Sequence, residues 1–317
     1  MTASLHAFSP STVRPQAQPI DPARFAPIVE APRREDARIV NAMSVDVEDY
    51  FQVQAFANTV ARDRWDEFER RVERNTDRVL QIFADARVAA TFFTLGWVAE
   101  RYPQLIRRIA DQGHEVASHG WAHHLVTSQT PEEFRADIRR TRALLEDLSG
   151  QSVVGYRAAT FSIGRTNLWA FDVLAEEGYR YSSSIFPVHH DLYGMPEAPH
   201  GPFRPRAGEP FVEFPMCTVE ALGRTIPCSG GGYFRLMPYA AFRWAVKRLH
   251  ADAERPCIFY FHPWEIDPGQ PRVPGLSIKG RFRHYLNLDR MEPRLRRLLG
   301  DFRWDRMDRV FGSFLPH

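Results

Sequence analysis

Hydrophobic and polar positions along the chain follow two periods. Residues 39–47 carry apolar and small residues without helical spacing, which reads as a buried strand, and the run ends in the acidic cluster Asp46, Glu48 and Asp49. Trp65, Phe68, Val72, Val79 and Phe83 recur at helical spacing and predict one long amphipathic helix. Residues 89–94 then read as a strand, 98–111 as a helix closed by Gly113, and 114–118 as a short strand. Thr130, Pro131 and Glu133 spell a helix start: N-cap, first-turn proline and capping-box glutamate. Phe134, Ile138, Leu145 and Leu148 carry that helix on to Gly150. Further strands are predicted at 153–157, 180–185, 212–215 and 257–261, and further helices at 167–177 and 238–250. A Gly-, Pro- and His-rich stretch over 186–233 predicts an irregular wall above the strand ends. Repeated strand–helix units predict a mostly parallel sheet, open or closed into a barrel.

Composition narrows this picture. A chain of 317 residues, 44% of them hydrophobic, buries a core large enough for one big domain or two ordinary ones. A formal charge of +2 argues against nucleic acid as the main partner. No stretch reaches the roughly 20 apolar residues of a membrane span, and the N-terminus shows no apolar signal core. The three cysteines, Cys217, Cys228 and Cys257, have neither metal-site nor paired-disulfide spacing and suit a reducing compartment. The expected location is the cytoplasm, at most peripheral to the inner membrane. Prolines crowd residues 1–37, predicting a flexible or surface-draped leader, with the folded part starting near Arg38.

In parallel α/β folds chemistry gathers at the carboxyl ends of strands. Asp46, His119, Arg157 and His262 all fall at such ends. His119 and His123 stand four residues apart and on a helical turn would offer two imidazoles to one metal; the bland reading is an accidental pair, and the second polar cluster weighs against it. Asp46 and Glu48 lie two apart and face the same way on a strand, where a cation would relieve their repulsion. Two histidines and one carboxylate leave a coordination position open for water, the catalytic pattern of zinc. Asp46 would then accept the water's proton, and His262 would protonate a leaving amine. Arg157 is placed to pair with Asp46, a surface ion pair being its structural alternative. His124, His189, His190, Asp191 and His200 are left out of the metal site.

Together these residues resemble the NodB-homology polysaccharide deacetylases, carbohydrate esterase family 4. The resemblance rests on Ala90-Thr91-Phe92-Phe93 with Gly96, on Gly113 to His119 with His123, and on Asp46, Arg157 and His262 in order. Val45 to Phe51, Ser229 to Phe234 and Phe261 to Glu265 are similar to a branch found beside exosortase/PEP-CTERM exopolysaccharide loci. The resemblance implies a distorted (β/α)7 barrel as the main domain, 38–268, with a C-terminal helical extension, 269–317, packed on it, and a divalent metal, usually Zn2+, with Co2+ or another ion in some members. It implies Asp46 as base, Arg157 as its orienting partner and His262 as acid. His119, His123 and Glu48 are implied as ligands, with Asp49 as the alternative to Glu48. The Thr160 backbone N–H is implied as oxyanion donor, although Ala159 replaces the family's proline beside it. The expected substrate is an N-acetylated saccharide, polymeric or lipid-linked, with Tyr233 and Trp264, and also Phe234 and Trp121, as candidate sugar-stacking residues. Alternative readings are an amidase on a small non-sugar substrate and a carbohydrate-binding pseudoenzyme.

Overall fold

The computed structural model describes residues 24–28 and 39–315, apart from 192, 222 and 254. Most of the expected leader therefore lies outside the described residues. Its strands are β1 (Ala26–Pro27), β2 (Val40–Val47), β3 (Thr91–Thr94), β4 (Glu115–Ser118), β5 (Gly155–Tyr156) and β6 (Tyr181–Ser182), then β7 (Phe203–Arg204), β8 (Val212–Glu213), β9 (Thr218–Ala221), β10 (Arg224–Pro227), β11 (Ile258–Phe261) and β12 (Arg303–Asp305). In spatial order β11-β2-β3-β4-β5-β6-β8 run parallel, the seven-stranded array expected from the strand–helix alternation. β7 and β1 continue the sheet antiparallel beyond β8, β12 pairs with the first residues of β2, and β9 and β10 form a separate hairpin.

The helices are α1 (Val72–Ala86), α2 (Gly96–Arg101), α3 (Pro103–Asp111), α4 (Pro131–Ser149) and α5 (Trp169–Glu176), followed by α6 (Gly231–Leu236), α7 (Tyr239–Ala253), α8 (Ile278–Tyr285), α9 (Leu288–Asp301) and α10 (Met307–Val310). α4 starts on the full capping box of Thr130 and Glu133 and stops at Gly150, whose φ of 67° a side chain would strain. Two predicted helices are interrupted. Pro103 cannot donate to the preceding turn, so the 98–111 run divides into α2 and α3 at Tyr102. The 65–83 run divides into a 3-10 segment, Arg62–Glu67, and α1. The break is fixed by Asp49, whose Oδ2 accepts from the N–H groups of Arg71 (2.6 Å) and Val72 (2.9 Å) where α1 begins.

Among the described residues no backbone ladder joins β8 to β11, so side chains close the ring. Ser229 Oγ accepts from Cys217 N–H at 2.9 Å and donates to the Ile258 carbonyl at 2.7 Å. The Ile258 N–H donates to Cys217 Sγ at 3.1 Å. All three cysteines are free thiols buried here or nearby, not surface groups.

Two expectations about the ends of the chain change. Residues 24–28 are not a free leader: Phe25 is buried against Phe203 and Ala26–Pro27 pair with β7, an edge position where a proline without N–H costs nothing. The C-terminal extension is not only helical, because Arg303–Asp305 enter the main sheet as β12. Its alternation of charged and aromatic residues is too short to stand out from a polar turn.

Candidate active site

The site is assembled where β2, β4, β5 and β11 end. Asp46 is the next-to-last residue of β2 and Glu48 lies just beyond the strand; His119 follows β4, Arg157 follows β5 and His262 follows β11. One ligand atom from each of Glu48, His119 and His123 lies within 4.8 Å of the other two, and all three residues are buried. The histidine pair does not ride on a helical turn as its spacing suggested. Residues 119–123 form an irregular loop in which His123 adopts a φ of 53°, a left-handed conformation rare for a residue with a side chain. Arg62 holds this turn, donating through Nε to the Ala122 carbonyl (2.7 Å) and through Nη2 to the His123 carbonyl (2.8 Å).

The donor set fits a divalent metal. His119 Nδ1–H donates to the Arg157 carbonyl at 2.8 Å, which leaves the Nε2 lone pair for a ligand role. Burial lowers the His119 imidazole, and burial with the neighbouring His119 charge takes His123 well below its ordinary value, so both are neutral as ligands must be. Burial pushes the Glu48 carboxyl up to about 8; the His262 charge opposes this and Asp46 adds to it. Glu48 Oε2 is buried without a hydrogen bond although His123 Nε2 stands 3.1 Å away. Buried and unbonded beside two neutral imidazoles, Glu48 Oε2 is the oxygen that a cation would take. Asp49 is engaged elsewhere, with Oδ2 capping α1 and Oδ1 accepting from Tyr50 N–H (2.9 Å), and among the described residues the carboxylate grouped with the two histidines is that of Glu48.

Around this centre stand two polar systems. On one side Arg157, fully buried, donates from Nη1 to Asp46 Oδ1 (2.6 Å) and to Ser44 Oγ (2.9 Å). It also donates from Nε to the Ser183 carbonyl (3.1 Å) and from Nη2 to Ser183 Oγ (3.2 Å), with the Phe93 ring 4.0 Å beneath it. On the other side His262 Nε2 lies 3.1 Å from Glu48 Oε1, while Nδ1–H donates to Glu265 Oε1 at 2.8 Å. Glu265 Oε2 in turn accepts from Arg235 Nε at 2.6 Å. Burial opposes the charge on His262, but Glu48 and Glu265 outweigh it and hold the imidazole up at about 9.

Thr160 sits in a turn of unusual strain. Its φ is 54° and that of Phe161 is 51°, and a β-branched residue there is a true outlier. The turn's own hydrogen bonds run from Phe161 to Ala158 and from Ser162 to Ala159, so the Thr160 N–H is not used by them.

The aromatic candidates fare differently. Trp264 stacks on His262 (5.2 Å between centroids) and on His284 (4.2 Å); with both faces covered it buttresses the imidazole and has no face for a sugar. Phe234 is core, and Trp121 is closed between Gly96 and the Arg140 guanidinium. Tyr233 is half-buried against Phe186. His124 and His189 are exposed. Glu265 and Arg235 were not anticipated, although a glutamate three residues after His262 and past Pro263 is a capping-box spacing that could have flagged the first. Arg235 carries no local signal, since its partners lie 30 residues away in Glu265 and about 50 away in the carbonyls of Arg283, His284 and Leu286.

Residues 64–182 match the family model described as polysaccharide deacetylase, and residues 183–312 match one described as a domain of unknown function, DUF3473. The chain is 32% identical to a chitooligosaccharide deacetylase of Rhizobium leguminosarum bv. trifolii over 117 residues, 37% of this chain and 50% of that one. It is 29% identical to a peptidoglycan deacetylase of Helicobacter pylori over 116 residues, 36% of this chain and 38% of that one. The match therefore spans half or less of these curated relatives. A Mycobacterium smegmatis structure, assigned provisionally to the polysaccharide deacetylases, superposes with a TM-score of 0.59 at 21% identity, covering 92% of this chain and 94% of that one; it supports the fold. No helix among the described residues is long and apolar enough to cross a membrane.

Proposed function

We propose that this chain is a metal-dependent hydrolase that removes N-acetyl groups from amino sugars of a poly- or oligosaccharide, in exopolysaccharide assembly. The observation that carries the reading is the cluster of Glu48, His119 and His123 with Asp46 on one flank and His262 on the other. Glu48, His119 and His123 would hold the metal, most naturally zinc, which when bound lowers the pKa of water and polarises the acetamide carbonyl. Asp46, aimed by its hydrogen bond from Arg157, takes a proton from water as the water's oxygen bonds to the carbonyl carbon. The Thr160 N–H is the donor nearest in kind to an oxyanion-hole group, pre-set by the strained turn. His262 delivers its Nε2 proton to the sugar nitrogen as the C–N bond breaks, giving acetate and a free amine. Glu265 holds Nδ1 and so fixes which nitrogen faces the site.

The resemblance of Val45–Phe51 and Ser229–Phe234 to the exopolysaccharide-associated branch supports that role, and a cytoplasmic, lipid-linked saccharide is the substrate form in keeping with it. The test is acetate release from N-acetylglucosamine oligomers and lipid-linked saccharides by metal-stripped protein, with zinc or cobalt restored and with His119→Ala alongside. Metal-restored release lost in His119→Ala supports the proposal. Metal binding without acetate from any sugar moves the small-amide reading ahead, and absence of metal binding favours the pseudoenzyme.

A further inference from the structure

The helix α8 turns two large apolar side chains to solvent. Ile278 is 90% exposed and Phe282 55%, and they stand four residues apart, on one stripe of the helix. At about 100° per residue, Lys279 falls about 80° to one side of that stripe and Arg281 about 80° to the other. His284, on the roughly opposite side, is buried. A single exposed isoleucine would mean nothing. Here the outward face is apolar along its crest and cationic on both flanks.

The surrounding segment has the same character. Among the described residues the exposed large hydrophobic side chains are Leu236, Trp244, Ile278 and Phe282, all between positions 236 and 282. Residues 236–297 carry 12 Lys and Arg against 6 Asp and Glu, a net charge of +6; the whole chain is +2, which leaves −4 for the rest. Asp191 pairs with Lys279 and Arg283, while Arg281 makes no ion pair among the described residues.

We infer that α8 docks on the surface of an anionic lipid bilayer, with Ile278 and Phe282 entering the headgroup boundary and Lys279, Arg281 and Arg283 meeting lipid phosphates. Charge selects this occupant: an apolar stripe between cations is the pattern of helices that lie in a membrane interface, whereas the centre of a protein interface is depleted of lysine. Size selects it too. Two side chains offer far less than the roughly 800 Å2 that each partner gives to a stable protein interface. They suffice for reversible adsorption when cations assist, each adding about fivefold in affinity near a negative surface. The docked face stands close to the chemistry, because His284 stacks on Trp264 and Trp264 on His262. Arg235, which holds Glu265, also holds the carbonyls of Arg283, His284 and Leu286 and fixes the end of α8 to the site. One helix and one indole would therefore separate the lipid surface from His262, an arrangement that serves a saccharide carried on a lipid.

The test is co-sedimentation of the full chain with vesicles of phosphatidylcholine alone and of phosphatidylcholine mixed with phosphatidylglycerol. The mixed vesicles are expected to bind about tenfold or more tightly. Replacing both apolar residues, Ile278→Ser with Phe282→Ser, is expected to lose about tenfold or more on the mixed vesicles, and Arg281→Glu about fivefold or more. All three positions are exposed, so folding is retained, and an unchanged Tm checks it. No binding to the mixed vesicles overturns the inference, as does binding that the double variant leaves unchanged. A dimer seen by light scattering without lipid, and dissolved by the double variant, also overturns it and makes α8 an interface between copies. Vesicle binding is read without substrate or metal, so its outcome is separate from that of the hydrolase reading.

Discussion

Replacing Arg157 by methionine removes the cation that holds Asp46 and keeps most of the buried volume. The wild-type guanidinium is fully buried and makes one hydrogen bond to a carboxylate and three to neutral serine acceptors. Deleting one partner of a buried pair costs about 3–5 kcal/mol, because the remaining charge is stranded away from water. Of this, coupling to Asp46 accounts for about 2–3 kcal/mol, the worth of a charged hydrogen bond plus the desolvation it offset. The assay is a double-mutant cycle in urea: wild type, Arg157→Met, Asp46→Asn and both together. Arg157→Met is expected to lose about 3–5 kcal/mol alone and about 2 kcal/mol less once Asp46 is neutral. Equal losses in the two backgrounds would refute the view that the arginine is there to hold the acid, and would make it a packing residue with serine partners. Acetate release should fall in both single variants.

Other outcomes follow from the same geometry. Glu48→Gln should abolish stoichiometric zinc by elemental analysis. Asp49→Asn should keep the metal yet cost about 1–2 kcal/mol of stability through the weakened start of α1. Glu213 is buried with its carboxyl raised to about 7 by burial, against 4.5 in the unfolded chain, so the native state binds the extra proton between those values. Its contribution is present below about pH 4.5 and is lost as pH rises through about 7; Glu213→Gln should flatten that slope, by on the order of 3 kcal/mol across the window, in pH-dependent urea melts. An unchanged slope removes Glu213 as its source. Thr160→Gly keeps the backbone N–H while relieving a left-handed β-branched residue, and should stabilise by about 1 kcal/mol in urea melts with acetate release retained.

The parts of the fold legible in the sequence are those with a local cause. The β2, β3, β4 and β11 runs are buried hydrophobic stretches, and the start of α4 is written in Thr130, Pro131 and Glu133. What the sequence hides is set by distant partners. Asp49 splits a helix 22 residues away, and nothing around Val72 announces it. β12 is a strand only because β2 offers it an edge, and Trp264 loses its sugar-binding face to His284, 20 residues on. The same holds at the site: strand-end position pointed to Asp46, His119, Arg157 and His262 together, while their supports Ser44, Ser183 and Arg235 look like ordinary polar residues until the sheet is assembled.

β2 is the strand on which everything else waits. It is the first strand of the parallel array, yet its flanks are completed by β11 and β12, whose contacts reach across 215 and 262 residues. While the chain is being synthesised, Asp46 and Glu48 emerge long before His262, and the edge of β2 stays open until nearly the last helix has appeared. Such long-range closure is slow and leaves an edge prone to wrong pairing. On the roles proposed above, it would also act as a proofreader of completeness: a product cut short anywhere before β11 has no His262 and no finished sheet, and would be silent instead of partly active.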